Sequence, residues 1–96
     1  MTNYVISPEA EIDLLDIFDF TVEEWGEAQA EKYLYELYTV FDRLVVRPMI
    51  GRARPEHGED LRSFPSGAHV IFYFIWNDQV SIVRVLHASR DVESLF

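Results

Sequence analysis

Gly26 separates two long apolar stripes of helical period, and this break constrains the fold more than any other feature of the chain. Upstream of it, Ala10, Leu14, Ile17, Phe18, Thr21 and Trp25 recur at the 3.6-residue period, with Asp13, Asp16, Asp19, Glu23 and Glu24 on the other side. Ser7 is a favoured N-cap and Pro8 a favoured first helical residue, while Glu9 and Glu11 lie where the helix dipole welcomes negative charge. A helix therefore starts at Pro8 and ends at Gly26. Downstream, Ala30, Leu34, Leu37, Phe41, Leu44 and Val45 form the buried stripe of a second helix from about Glu27 to Arg47. Pro48 stops it, because the residue before a proline resists the helical region. So short a link predicts an antiparallel helical hairpin.

Such a hairpin needs a partner for its apolar side, and the remaining sequence supplies strands. Tyr4-Val5-Ile6 reads as a first strand and Leu61 to Phe64 as a second, followed by a turn at Pro65-Ser66-Gly67. Val70 to Trp76 is a β-branched and aromatic run suited to a central strand. Asn77-Asp78 is a two-residue hairpin turn that leads into a last strand from about Gln79 to Ala88. Between the second helix and these strands, Met49 to Asp60 carries Gly51, Pro55 and Gly58 among charges and reads as a surface loop. The order β-α-α-β-β-β predicts an α+β fold in which the helical hairpin packs on one face of a small, mostly antiparallel sheet. Ninety-six residues fit one domain spanning 1–96.

Charge narrows the function classes. The net charge is −9, and residues 1–42 hold eleven acids against one lysine, whereas residues 43–96 hold seven arginines against six acids. Binding to nucleic acid draws its affinity from phosphate neutralisation by Lys and Arg, so direct nucleic-acid binding is disfavoured. With no cysteine there is neither a disulfide framework nor a thiolate zinc site, and His57 and His69 lack the spacing and nearby carboxylates of a metal centre. No cofactor is implied. The longest apolar run, Val70 to Trp76, is far short of the roughly 20 residues of a membrane span, so a cytoplasmic protein is expected.

Several ordered fragments carry a further signal. Ser7-Pro8-Glu9-Ala10-Glu11, Trp25-Gly26-Glu27-Ala28-Gln29-Ala30, Arg47-Pro48-x-x-Gly51-Arg52, Leu61-Arg62-Ser63-Phe64-Pro65, His69-Val70-Ile71-Phe72-Tyr73 and Ile82-Val83-Arg84-Val85-Leu86-His87-Ala88-Ser89-Arg90-Asp91 follow one another with tight spacing. Together they resemble the ParE branch of the ParE/RelE toxin superfamily across almost the whole chain. The resemblance implies the same fold and a role as the toxin of a type II toxin-antitoxin module. ParE toxins are associated with poisoning DNA gyrase. Their ParD-like antitoxins pair a DNA-binding N-terminal dimer with a C-terminal tail that wraps the toxin, which implies a hetero-oligomer of toxin and antitoxin.

The rival chemistry is that of the RelE branch, whose members cut messenger RNA on the ribosome with a general base, a general acid and cations around the phosphate. The only lysine, Lys32, sits in the second helix, so the lysines that RelE-like toxins place around the phosphate have no counterpart. A non-enzymatic inhibitor is the expected class, with an inactive antitoxin-binding protein as a further alternative. Arg62, His87 and Arg90 are the candidate target-binding residues. Ile12 and Phe20 fall outside the first helix's stripe, among acids, and are the candidate antitoxin-binding residues. Arg84, between Val83 and Val85 on the last strand, is expected in a structural ion pair with Asp91 or with an acid of the first helix.

Overall fold

A computed structural model describes residues 4–90 of the chain. It comprises β1 (Tyr4–Ile6), α1 (Pro8–Trp25), α2 (Glu27–Val46), β2 (Arg52–Ala53), β3 (Arg62–Ser66), β4 (His69–Trp76) and β5 (Gln79–His87). The strands form one sheet in the order β1-β5-β4-β3-β2, with β1 parallel to β5 and every other pair antiparallel. The α+β architecture and the helical hairpin are those expected from the sequence. The segment read as a loop also contains β2, a two-residue strand on the edge of β3.

Local chemistry places the helices. Ser7 is extended, its Oγ accepts from Ala10 N–H at 3.0 Å, and the same hydroxyl donates to Val83 O at 2.7 Å. One side chain thus caps α1 and ties its start to β5. At the other end Gly26 has φ 91°, a left-handed value that glycine adopts without strain, and this lets a single residue end one helix and begin the next. Ala30, Leu37, Phe41 and Leu44 of α2 are buried as expected, the last three in one core with Ile71, Tyr73, Val80 and Ile82 of the sheet.

The stripe of α1 departs from expectation at both ends. Asp13, read as part of the acidic outer side, is buried, and Trp25, read as part of the inner stripe, is 73% exposed. The reason is that β1 stops at Ile6 while β5 runs on to His87, so α1 itself flanks the unpaired edge of β5. Ser7 N–H donates to Ile82 O at 2.9 Å, and Val85 N–H donates to the Asp13 carboxylate at 3.0 Å. Asp13 takes up a strand N–H that has no strand beside it.

Two irregularities in the sheet also matter. Tyr73 pairs with Ile82 but Phe72 pairs with Arg84, so Val83 is an extra residue on β5. The alternation of faces breaks there: Val85 joins the helix-covered core, whereas Val83 packs with Phe72, Leu86 and Leu61 in a second apolar group. Pro65, expected in a turn, is instead in β3 opposite Val70. β2 pairs only with Arg62 and Ser63, so at Pro65 the outer edge has no strand partner and the missing N–H costs nothing. The turn that follows is Gly67-Ala68, with φ 57° at Gly67, where a Cβ would lie 2.7 Å from the Tyr33 hydroxyl. The second turn has positive φ at both Asn77 (53°) and Asp78 (59°), as expected for a two-residue hairpin of the primed type.

Candidate partner-binding groove

The helical hairpin overhangs the end of the sheet where β4 begins and β5 ends, leaving an open groove of about 840 Å³. Ile17, Phe20, Thr21 and Trp25 of α1 form one wall; Tyr33 of α2, His69 of β4, and Leu86, His87 and Arg90 at the end of β5 form the rest. Phe20 is 62% exposed, so the groove offers large apolar surface to solvent. Its charges are segregated. Asp16 lies on the α1 side and Arg90 at the β5 end. Asp13, also in the lining, is matched by Arg84, whose Nε and Nη2 donate to its two oxygens at 2.8 and 2.9 Å. That paired carboxylate raises the guanidinium's pKa against the opposing effect of burial.

A polar chain fixes the histidine end. His69 and His87 are direct cross-strand partners, with ring centroids 5.4 Å apart and edge-to-face. The Tyr33 hydroxyl lies 2.6 Å from His69 Nδ1, accepts from Ala68 N–H at 3.0 Å, and is 3.4 Å from Ser66 O. These contacts tie α2 to the β3–β4 turn and to the start of β4. His87 Nδ1 accepts from Ser89 N–H at 3.2 Å and lies 2.7 Å from Ser89 Oγ, which places the proton of its neutral ring on Nε2. Burial lowers the pKa of His69, and the nearby His87 lowers it further, with Asp13 acting in the opposite direction. Burial likewise raises that of Tyr33.

The residues singled out from the sequence fall in different places. Phe20, His87 and Arg90 meet in this groove, although Phe20 was expected to serve one partner and the other two another. Ile12 is 59% exposed but does not line it. Arg62 lies elsewhere, with Nη1 donating to Gly51 O at 2.7 Å and to Met49 O at 3.4 Å. Arg84 is in the expected ion pair, with Asp13 of the first helix; Asp91 lies outside the described residues. Trp25, Tyr33 and His69 are groove residues that sequence reasoning did not assign to a site. An aromatic at the last turn of a helix whose stripe outruns the sheet was the available signal for Trp25.

The Arg47-Pro48-x-x-Gly51-Arg52 fragment also acquires a physical role. The buried Tyr73 hydroxyl donates to Pro48 O at 2.7 Å and accepts from Gly51 N–H at 2.9 Å, and Arg62 holds the carbonyl of the same glycine. The fragment is a clamp that ties the end of α2 to the centre of the sheet.

Comparison with known proteins gives a consistent result. The sequence model of the family described as "ParE toxin of type II toxin-antitoxin system, parDE" matches residues 4–92. The chain is 40% identical over 93 residues to Toxin ParE1 of Mycobacterium tuberculosis, covering 96% of this chain and 95% of the relative. It is 33% identical over 94 residues to Toxin ParE1 of Caulobacter vibrioides, covering 98% and 97%. A solved structure titled "Chromosomal ParDE TA system from P. aeruginosa" superposes with a TM-score of 0.77 at 19% identity, covering 91% of this chain and 96% of that one, which is a likeness of fold.

Proposed function

The chain belongs to the ParE toxin family of parDE type II toxin-antitoxin systems, and on that premise we propose that it arrests growth by binding DNA gyrase in the cytoplasm and is neutralised by a ParD-like antitoxin that fills the groove between α1 and the end of β5. The observation that carries the second half is the meeting of Phe20 with His87 and Arg90 in one groove. An antitoxin segment anchored on Phe20 and Trp25 covers the cationic end in the same act, so neutralisation works by occlusion. An amphipathic segment laid into an apolar groove is a common mode of peptide recognition. The gyrase assignment rests on family membership. Inhibition by binding, without bond cleavage, is supported by the acidic net charge of −9, which repels a polyanionic substrate at long range.

A ribosome-dependent ribonuclease is the second reading, and the adjacent His69 and His87 rings beside Arg90 are what favour it. Against it, both rings are fixed by Nδ1 hydrogen bonds to hydroxyls rather than to a carboxylate. Expression without antitoxin, followed by a supercoiling assay with purified gyrase and by mapping of transcripts on ribosomes, separates the two. Lost supercoiling with intact transcripts supports the gyrase reading; cleaved transcripts with normal supercoiling sink it.

A further inference from the structure

The tautomer of His87 has a chemical consequence at the β5 end of the groove. His87 Nδ1 accepts from Ser89 N–H, so the proton that its neutral ring carries is on Nε2, and the His69 ring stands directly opposite, edge-to-face. Arg90, three residues beyond His87, adds a guanidinium to the same lining. This end of the groove therefore offers donors, whereas the wall formed by Ile17, Phe20 and Trp25 is apolar. The carboxylate of Asp13 does not oppose an incoming anion there, because Arg84 holds both its oxygens. Asp16 is on the α1 side of the groove, so an anion is directed away from it and toward β5. The facing groups are accounted for: Asp13 and Asp16 from α1, Tyr33 from α2, His69 from β4, His87 and Arg90 at the end of β5.

We propose that the His69, His87 and Arg90 end of the groove is a carboxylate-recognition site, which takes an Asp or Glu of the antitoxin segment whose apolar side chains fill the α1 wall. The proposal rests on the reading of the groove as the antitoxin site and adds the chemistry that selects the segment. Apolar anchors alone would accept any amphipathic segment; a carboxylate demanded at the β5 end discriminates among such segments.

The test uses the full chain as bait for a displayed library of random peptides. The peptides that bind best are then synthesised with each Glu changed in turn to Gln and each Asp to Asn, and their affinities are measured. On the wild-type chain one amide twin binds about tenfold more weakly, the scale of one lost charge-assisted hydrogen bond. On the exposed-site double variant His87→Gln, Arg90→Gln the two twins bind alike. Peptides that lose affinity on Phe20→Ser but show no difference between twins overturn the carboxylate site and leave the groove reading standing. Peptides that bind Phe20→Ser as well as the wild type, or a library with no binders above background, overturn both.

Discussion

Asp13 and Arg84, seventy-one residues apart, join α1 to β5 through two hydrogen bonds of 2.8 and 2.9 Å, and the same carboxylate accepts Val85 N–H at 3.0 Å. One buried acid thus replaces the strand that β5 lacks beyond Ile82. Asp13→Ala removes the acceptor of a buried strand N–H and strands the guanidinium, and is expected to cost about 3 kcal/mol. Asp13→Asn keeps an oxygen for Val85 N–H and should cost less. Urea unfolding of the two variants checks the order; equal midpoints for Asp13→Ala and wild type would show that the edge is not held this way.

Gly51 and Tyr73 yield a second prediction. A Cβ at position 51 would run into the ring of Tyr73, with Cε1 at 2.7 Å and Cζ at 2.8 Å, and that ring is fully buried. Gly51→Ala is therefore expected to destabilise by more than about 3 kcal/mol, as overpacking of a rigid site does. Tyr73→Phe alone loses the bonds to Pro48 O and Gly51 N–H, at about 1–3 kcal/mol. Because it also removes the atom nearest the added methyl, the double variant should be more stable than the sum of the two costs implies. A strictly additive pair in thermal unfolding would contradict the clamp.

His69 sets a pH dependence whose sign follows from its environment. Burial and the neighbouring His87 depress its folded pKa below the unfolded value of about 6.5. The folded state thus favours the neutral ring, and the unfolded state binds the proton more readily. Stability from this group is fully present above about pH 6.5 and is lost as pH falls through the folded pKa. Unfolding midpoints should decline between pH 7.5 and 5. His69→Gln, which keeps a hydrogen-bonding group beside Tyr33, should flatten that decline; an unchanged slope would assign the effect to other groups.

Much of this fold was legible because its determinants are local. Ser7, Pro8, Gly26 and Pro48 punctuate the helices within a few residues of where they act, and Asn77-Asp78 marks its own turn. The site was less legible because it depends on one non-local event. Counting outward from the Asn77-Asp78 turn places His69 opposite Leu86; the extra residue Val83 shifts the register and brings His87 opposite instead. No periodicity announces a bulge, so the two histidines read as unrelated. Asp13 was misplaced for a similar reason. A helix-only pattern puts it among Asp16 and Asp19 on the solvent side, and only the short length of β1 opens a buried polar position for it.

The groove gives the last prediction, which depends on its being the antitoxin site. Phe20 and Trp25 are 62% and 73% exposed in the free chain, so Phe20→Ser and Trp25→Ser remove little buried apolar area and should change stability by no more than about 0.5 kcal/mol. Their effect belongs to the complex, where a buried aromatic anchor is worth about 2 kcal/mol or more and its loss raises the dissociation constant some thirtyfold. Cells that co-express the cognate ParD-like antitoxin should then arrest with Phe20→Ser although they grow with the wild-type chain. Ile12→Ser, at a residue of similar exposure outside the groove, serves as the control and should leave protection intact. Protection lost with Ile12→Ser but kept with Phe20→Ser would move the antitoxin to another face of α1.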